Sequence, residues 1–164
     1  MMMKTLIVYY SLEGNTDYAA RRIAEQTGAE TLRLIPKKAY PDKGFRKFLW
    51  GGRSAVMAEQ PGLEPYDVNW EAYDRIVFGF PVWASRFAPP IRTFILENTG
   101  RLKGMRMAAF ACQGGSGAEK ALEKLRRDLA VDAFDAEMIL NDPMKRPSEQ
   151  NEARIRDFCG RLSR

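Results

Sequence analysis

The chain has 164 residues, 45% of them hydrophobic, which suits one domain with a core of its own. It contains no histidine and two cysteines, Cys112 and Cys159, so His-based triads, His-built zinc or iron centres and a disulfide framework are excluded. Lysine and arginine outnumber the acids 26 to 21, a formal net charge of +5; this favours acidic partners, but no nucleic acid, because basic and aromatic residues nowhere interleave in a binding motif.

The opening stretch MMMKTLIVYYSLEG looks like a short leader, but Glu13 interrupts its apolar run. No later segment approaches the ~20 apolar residues of a membrane span, so the expectation is a cytoplasmic protein without a membrane partner. Lys4 to Tyr10 predicts a buried strand. Thr16 to Thr27 predicts a helix with Ala19, Ala20 and Ile23 on one face and Gly28 as its stop. Glu30 to Ile35 alternates like a strand, which Pro36 ends. Asp74 to Phe80 predicts a third strand, stopped by Pro81, and Pro89-Pro90 opens a helix through about Glu97. Met105 to Cys112 is a fourth strand. The helix after it carries Ala118, Ala121, Leu122, Leu125 and Leu129 as a stripe. A weaker fifth strand spans Ala136 to Leu140, and a last helix places Ile155, Phe158, Cys159 and Leu162 at helical spacing. Both cysteines read as small buried hydrophobes.

Strand and helix alternating in this way predict an α/β fold: a five-stranded parallel sheet with helices on both faces. Ligands of such sheets sit beyond the carboxyl ends of the strands. Three loops leave those ends with unusual composition. Ser11, Gly14, Asn15 and Thr16 precede a helix, where backbone amides and hydroxyls can hold an anion such as a terminal phosphate. The same residue types also serve as plain helix caps. In FGFPVWASRFAPP, Trp83 and Phe87 offer a platform for a flat ring, or Trp83 simply covers the neighbouring helix. In CQGGSG, glycines let backbone amides approach a ligand, or form a flexible turn capped by Ser116. Glu13 suits no anion site and is expected to face solvent.

YYSLEGNT, GFPVWASRFAPPIRTFI and FACQGGSG, in that order, resemble the flavodoxin-like superfamily, specifically bacterial flavodoxin family proteins with a long insertion after the second strand. The resemblance covers nearly the whole chain and implies a single flavodoxin-like three-layer sandwich over 1–164, with the insertion at about 36–72. It implies noncovalent FMN. Ser11, Gly14, Asn15 and Thr16 would hold the phosphate, with amides of Leu12 and Glu13. Pro81, Val82, Trp83 and Ala84 would line the ring, and Gln113, Gly114, Gly115, Ser116 and Gly117 its pyrimidine edge. No side chain is expected to be catalytic and no metal is implied. The implied role is electron transfer, or NAD(P)H-linked, FMN-dependent reduction of a small acceptor such as a quinone. A redox partner protein is the other implied partner, and a homodimer is compatible with the sequence. A flavodoxin-like domain without cofactor, acting as a protein-binding module, is the alternative. Arg86 is the expected cation near the reduced ring.

The insertion is basic in its first half, through Lys37, Lys38, Lys43, Arg46, Lys47 and Arg53. It is apolar at Phe45, Phe48, Leu49 and Trp50, and broken by Gly51-Gly52. It reads either as a solvated helix packing its aromatics on the sheet flank or as a lid or docking surface.

Overall fold

The computed structural model describes residues 3–40 and 60–164. Of the insertion expected at about 36–72, residues 41–59, including Lys43, Arg46, Lys47, Arg53 and the Phe45–Gly52 apolar stretch, lie outside the described residues.

Five strands form a parallel sheet: β1 (Thr5–Tyr9), β2 (Glu30–Arg33), β3 (Arg75–Trp83), β5 (Arg106–Gln113) and β6 (Glu137–Asn141). Their spatial order is β2-β1-β3-β5-β6. A short β4 (Arg86–Phe87) folds back antiparallel on the end of β3. The chain moves outward from β1 to β2, then returns to place β3 on the other side of β1. That reversal makes the carboxyl ends of β1 and β3 the switch point where a crevice opens.

Alternation along the central strands divides the core into two layers, as a period of two requires. Leu6, Val8, Ile76, Phe78 and Phe80 face α2 (Pro89–Glu97) and α4 (Ala118–Leu129), meeting Ile91, Phe94, Ala121, Leu122 and Leu125. Ile7, Tyr9, Val77 and Phe110 face α1 (Asn15–Thr27) and α5 (Glu149–Leu162), meeting Ala19, Ala20, Ile23, Ile155, Phe158 and Leu162. Both cysteines are buried. Leu129 of the α4 stripe is only partly buried, against the first of these layers. A single-turn α3 (Thr99–Leu102) and a 3-10 turn at Trp70–Ala72 complete the described elements.

Two boundaries differ from the sequence expectation by more than one residue. Glu30 to Ile35 shortens to Glu30–Arg33, because β2 pairs on one side only and its ladder to β1 ends at Arg33. Pro81 does not stop β3, which runs on to Trp83. Pro81 is the last residue of the parallel ladder with β5, opposite Cys112, and beyond it the strand pairs with β4 instead. A proline is tolerated where a ladder ends, since its missing N–H is needed least there.

Candidate functional site

A cleft of about 590 Å³ opens at the switch point. Four chain segments line it: Ser11 to Thr16 after β1, Pro81 to Ala84 at the β3 end, Cys112 to Gly115 at the β5 end, and Asp142 to Arg146 after β6. The first three come from the loops singled out by composition. The fourth does not.

The first loop ends at Gly14, which begins α1 at φ 108°, and no side chain caps the helix from that position. Instead Ser11 Oγ reaches forward and accepts from the Asp17 N–H at 3.1 Å. Tyr18 N–H is taken by the Gly14 carbonyl at 2.9 Å. The N–H groups of Asn15 and Thr16, first in the helix, have no intrahelical acceptor and sit at the positive end of its dipole. Thr16 is 1% exposed; its hydroxyl makes no hydrogen bond of proper geometry among the described residues, and it bears on the neighbouring Cys112 thiol, a weak partner. A buried hydroxyl without a good partner costs stability unless a ligand supplies one. Plain capping therefore accounts for Ser11 and leaves Thr16 unexplained.

Asn15 does something else. Its Oδ1 accepts from the backbone N–H of Met144 at 3.0 Å and of Lys145 at 3.1 Å, and its Nδ2 donates to Asp142 Oδ1 at 3.2 Å. It thereby clamps the loop after β6 onto the start of α1. Met144 packs over Gly14 so closely that a Cβ there would lie 2.8 Å from its Cε. The clamp brings Lys145 and Arg146 to the cleft wall. Lys145 forms an ion pair with Glu13, and Arg146 lies 3.6 Å from Asp142. Glu13 is thus not a solvent-facing bystander; it lines the cleft with its charge answered by Lys145. The cations absent from the phosphate-type loop come from a segment more than 120 residues later. Its only trace in the sequence is a Lys-Arg pair just beyond the last strand.

On the opposite wall, β3 turns into β4 through Ala84 and Ser85, both in the left-handed region at φ 50° and 61°. Two such residues make the turn that matches hairpin twist. Register across the hairpin pairs Val82 with Phe87 and Trp83 with Arg86. This corrects two expectations. Phe87 is no part of a ring platform: it points inward, 6.0 Å from the Phe80 ring centroid and 8% exposed. Arg86 is not among the residues lining the cleft; although paired with Trp83, it lines a separate pocket. Trp83 does face the cleft, held edge-on by Tyr10 at 5.8 Å and Tyr40 at 5.1 Å. Two perpendicular rings fix its orientation.

The third loop divides. Gly114 and Gly115 line the cleft. Gln113 acts behind it: its Oε1 accepts from Ala118 N–H at 3.0 Å and its Nε2 donates to Asn141 at 3.1 Å. That makes Gln113, and not Ser116, the residue that closes the start of α4. Gly117 holds φ 101°, and a Cβ there would meet the Ser85 backbone Cα at 3.0 Å. Beneath the cleft floor, burial pushes the Cys112 thiol up to about 12, with Asp142 adding to the rise and the Thr16 hydroxyl opposing it. Such a thiol is no nucleophile.

A flavodoxin family model matches residues 4–152. Among solved structures, a protein from Bacteroides eggerthii described as a candidate flavoprotein superposes with a TM-score of 0.74 at 21% identity, covering 99% of each chain. A flavoprotein from Lactobacillus acidophilus, solved in complex with FMN, gives 0.69 at 20% identity over 87% of this chain and 95% of its own. A Bacteroides uniformis protein, again a candidate flavoprotein, gives 0.69 at 28% identity over 86% and 92%.

Proposed function

Since the chain belongs to the flavodoxin family, we propose that it binds FMN in the cleft at the strand ends and serves as an electron-transfer flavoprotein. The observation that carries this reading is the Thr16 hydroxyl, buried on the cleft wall without a hydrogen bond of proper geometry, beside the open amides of α1. A phosphate oxygen is the acceptor that geometry calls for.

The residues present fit the cofactor. Ser11 and Thr16 offer hydroxyl protons, and Leu12 to Thr16 offer backbone N–H groups to the phosphate. Gly14 supplies the turn, and Asn15 keeps the wall behind it in place. Pro81, Val82, Trp83 and Ala84 give the ring one flat boundary. Gly114 and Gly115 leave amides open at its polar edge, with Gln113, Ser116 and Gly117 fixing the loop that carries them. When bound, the flavin accepts and passes on the electrons; the chain binds, orients and sets the local field. The family and the FMN-bound neighbour support this role. The cofactor-free reading drew on Glu13, and Lys145 removes most of its basis by neutralising that carboxylate.

Within this role, the donor is a reduced nicotinamide nucleotide or a redox partner protein, and the acceptor is a partner protein or a small molecule such as a quinone. Turnover with NAD(P)H and a quinone marks a reductase; its absence marks a carrier. The cofactor itself is tested by the visible spectrum of purified protein, with chromatography of the released flavin. A yellow protein releasing FMN is expected. An apoprotein that takes up no added FMN overturns the proposal.

A further inference from the structure

The β3–β4 hairpin borders two separate pockets. Trp83 and Ala84 line the cleft. At the second, Arg86 joins Arg92 of α2 with Lys124, Arg127 and Asp128 of α4 around a pocket of about 110 Å³. Four cations there meet one carboxylate. Arg92 uses it, lying 2.9 Å from Asp128, and Arg127 turns to Glu123 at 3.3 Å. Among the described residues no carboxylate lies within ion-pair reach of Arg86 or Lys124, and the Lys124 ammonium donates only to the Ser85 carbonyl at 3.4 Å. Burial first, and then the charges of Arg86, Lys120 and Arg127, pull the Lys124 ammonium below the ordinary lysine value, with the Glu123 carboxylate opposing them.

A merely solvated basic face would spread its side chains apart. These converge on a concavity, and like charges so held repel unless an anion lies between them. Guanidinium forks and an ammonium are the donor set for phosphate oxygens. We propose that this pocket binds a phosphate or pyrophosphate group of a nucleotide reactant, anchoring it one β-turn away from the flavin ring. The anchoring role rests on the FMN reading; the anion pocket does not. A nucleotide held there lies against the hairpin that also borders the cleft, so its far end needs only to pass along that hairpin to reach the ring. The same assignment gives a role to Arg86, which lines this pocket and not the cleft.

The test is calorimetric titration of the flavin-loaded protein with inorganic pyrophosphate at low salt. Saturable binding is expected. In a variant carrying both Arg86→Gln and Lys124→Gln, binding weakens by roughly tenfold or more. In a charge-matched control carrying Arg156→Gln and Arg161→Gln on α5, it is unchanged. NADPH and NADH are then added as competitors. Displacement by both assigns the pocket to the bridging pyrophosphate of a dinucleotide, and displacement by NADPH alone to its additional phosphate. No binding, an equal loss in the control, or displacement by neither nucleotide overturns the proposal. If the protein takes no flavin, the proposed function fails separately, and the pyrophosphate titration of the apoprotein still reads the pocket.

Discussion

Thr16 is where the chain's own bonding leaves most undone. Replacing it with valine removes a buried hydroxyl that makes no hydrogen bond of proper geometry, so the apoprotein should be as stable as wild type or slightly more so. The same change should weaken FMN by about tenfold, because one charge-assisted bond to the phosphate is lost. A urea melt and a flavin-fluorescence titration on one preparation separate the two effects; falling stability with unchanged affinity would make Thr16 a packing residue. Glu13 and Lys145 carry a second expectation. They pair across 132 positions at the cleft wall. Lys145→Gln leaves a carboxylate facing the phosphate dianion and should weaken FMN, whereas Glu13→Gln frees the ammonium and should strengthen it, each by roughly three- to tenfold at low salt. Riboflavin, which has no phosphate, should bind both variants as it binds wild type. If it shifts in parallel with FMN, the pair shapes the wall and does not sense the phosphate.

At the scale of elements, the hairpin and the start of α4 depend on one close contact, Gly117 against Ser85. Gly117→Ala puts a side chain at φ 101° and drives its Cβ onto backbone, so a loss of about 2–3 kcal/mol is expected from the strain and the clash together. Chemical denaturation reads the stability, and the near-ultraviolet signal of Trp83 reads the hairpin; a variant of wild-type stability would mean that Ser85 yields freely. Elements also show what the sequence could and could not reveal. Apolar periodicity locates α1, α4 and α5 well, because each helix buries one face in a single layer; β1 shows as an unbroken apolar run because both its faces are covered; and Gly28 and Pro89-Pro90 punctuate as their backbone preferences require. Phe87 escapes the sequence pattern because a two-residue strand gives no period to read, and only the register with Val82 turns it inward. Pro81 reads as a stop but is none, because a strand that changes partner tolerates a proline that a continuing ladder would not. The loop at Asp142 to Arg146 left almost no signal. Its place at the cleft depends on Asn15, whose side chain binds backbone more than 120 residues away.

For the molecule as a whole, titrating groups held in their neutral forms set an alkaline limit on stability. Burial raises Cys112 from 9.0 to about 12 and Cys159 to about 11. Burial, followed by the hydrogen bond to Asp17, raises Tyr9 from 10.0 to about 12. Above pH 9 the unfolded chain gives up protons that the folded chain keeps. Stability is therefore full below about pH 9 and falls as the pH climbs towards 12. Urea midpoints measured across that range should decline, and the decline should be shallower in Cys112→Ala; an identical slope would mean that the thiol is not held neutral by the fold. The central claim is that the first turn of α1 grips a phosphate while Trp83 borders the ring. Its most direct test is a paired titration of the apoprotein with FMN and riboflavin, which share a ring and differ in the phosphate. Preference for FMN by about a hundredfold or more, corresponding to two or so charge-assisted bonds, is the expected result. Equal affinity for the two flavins would contradict it.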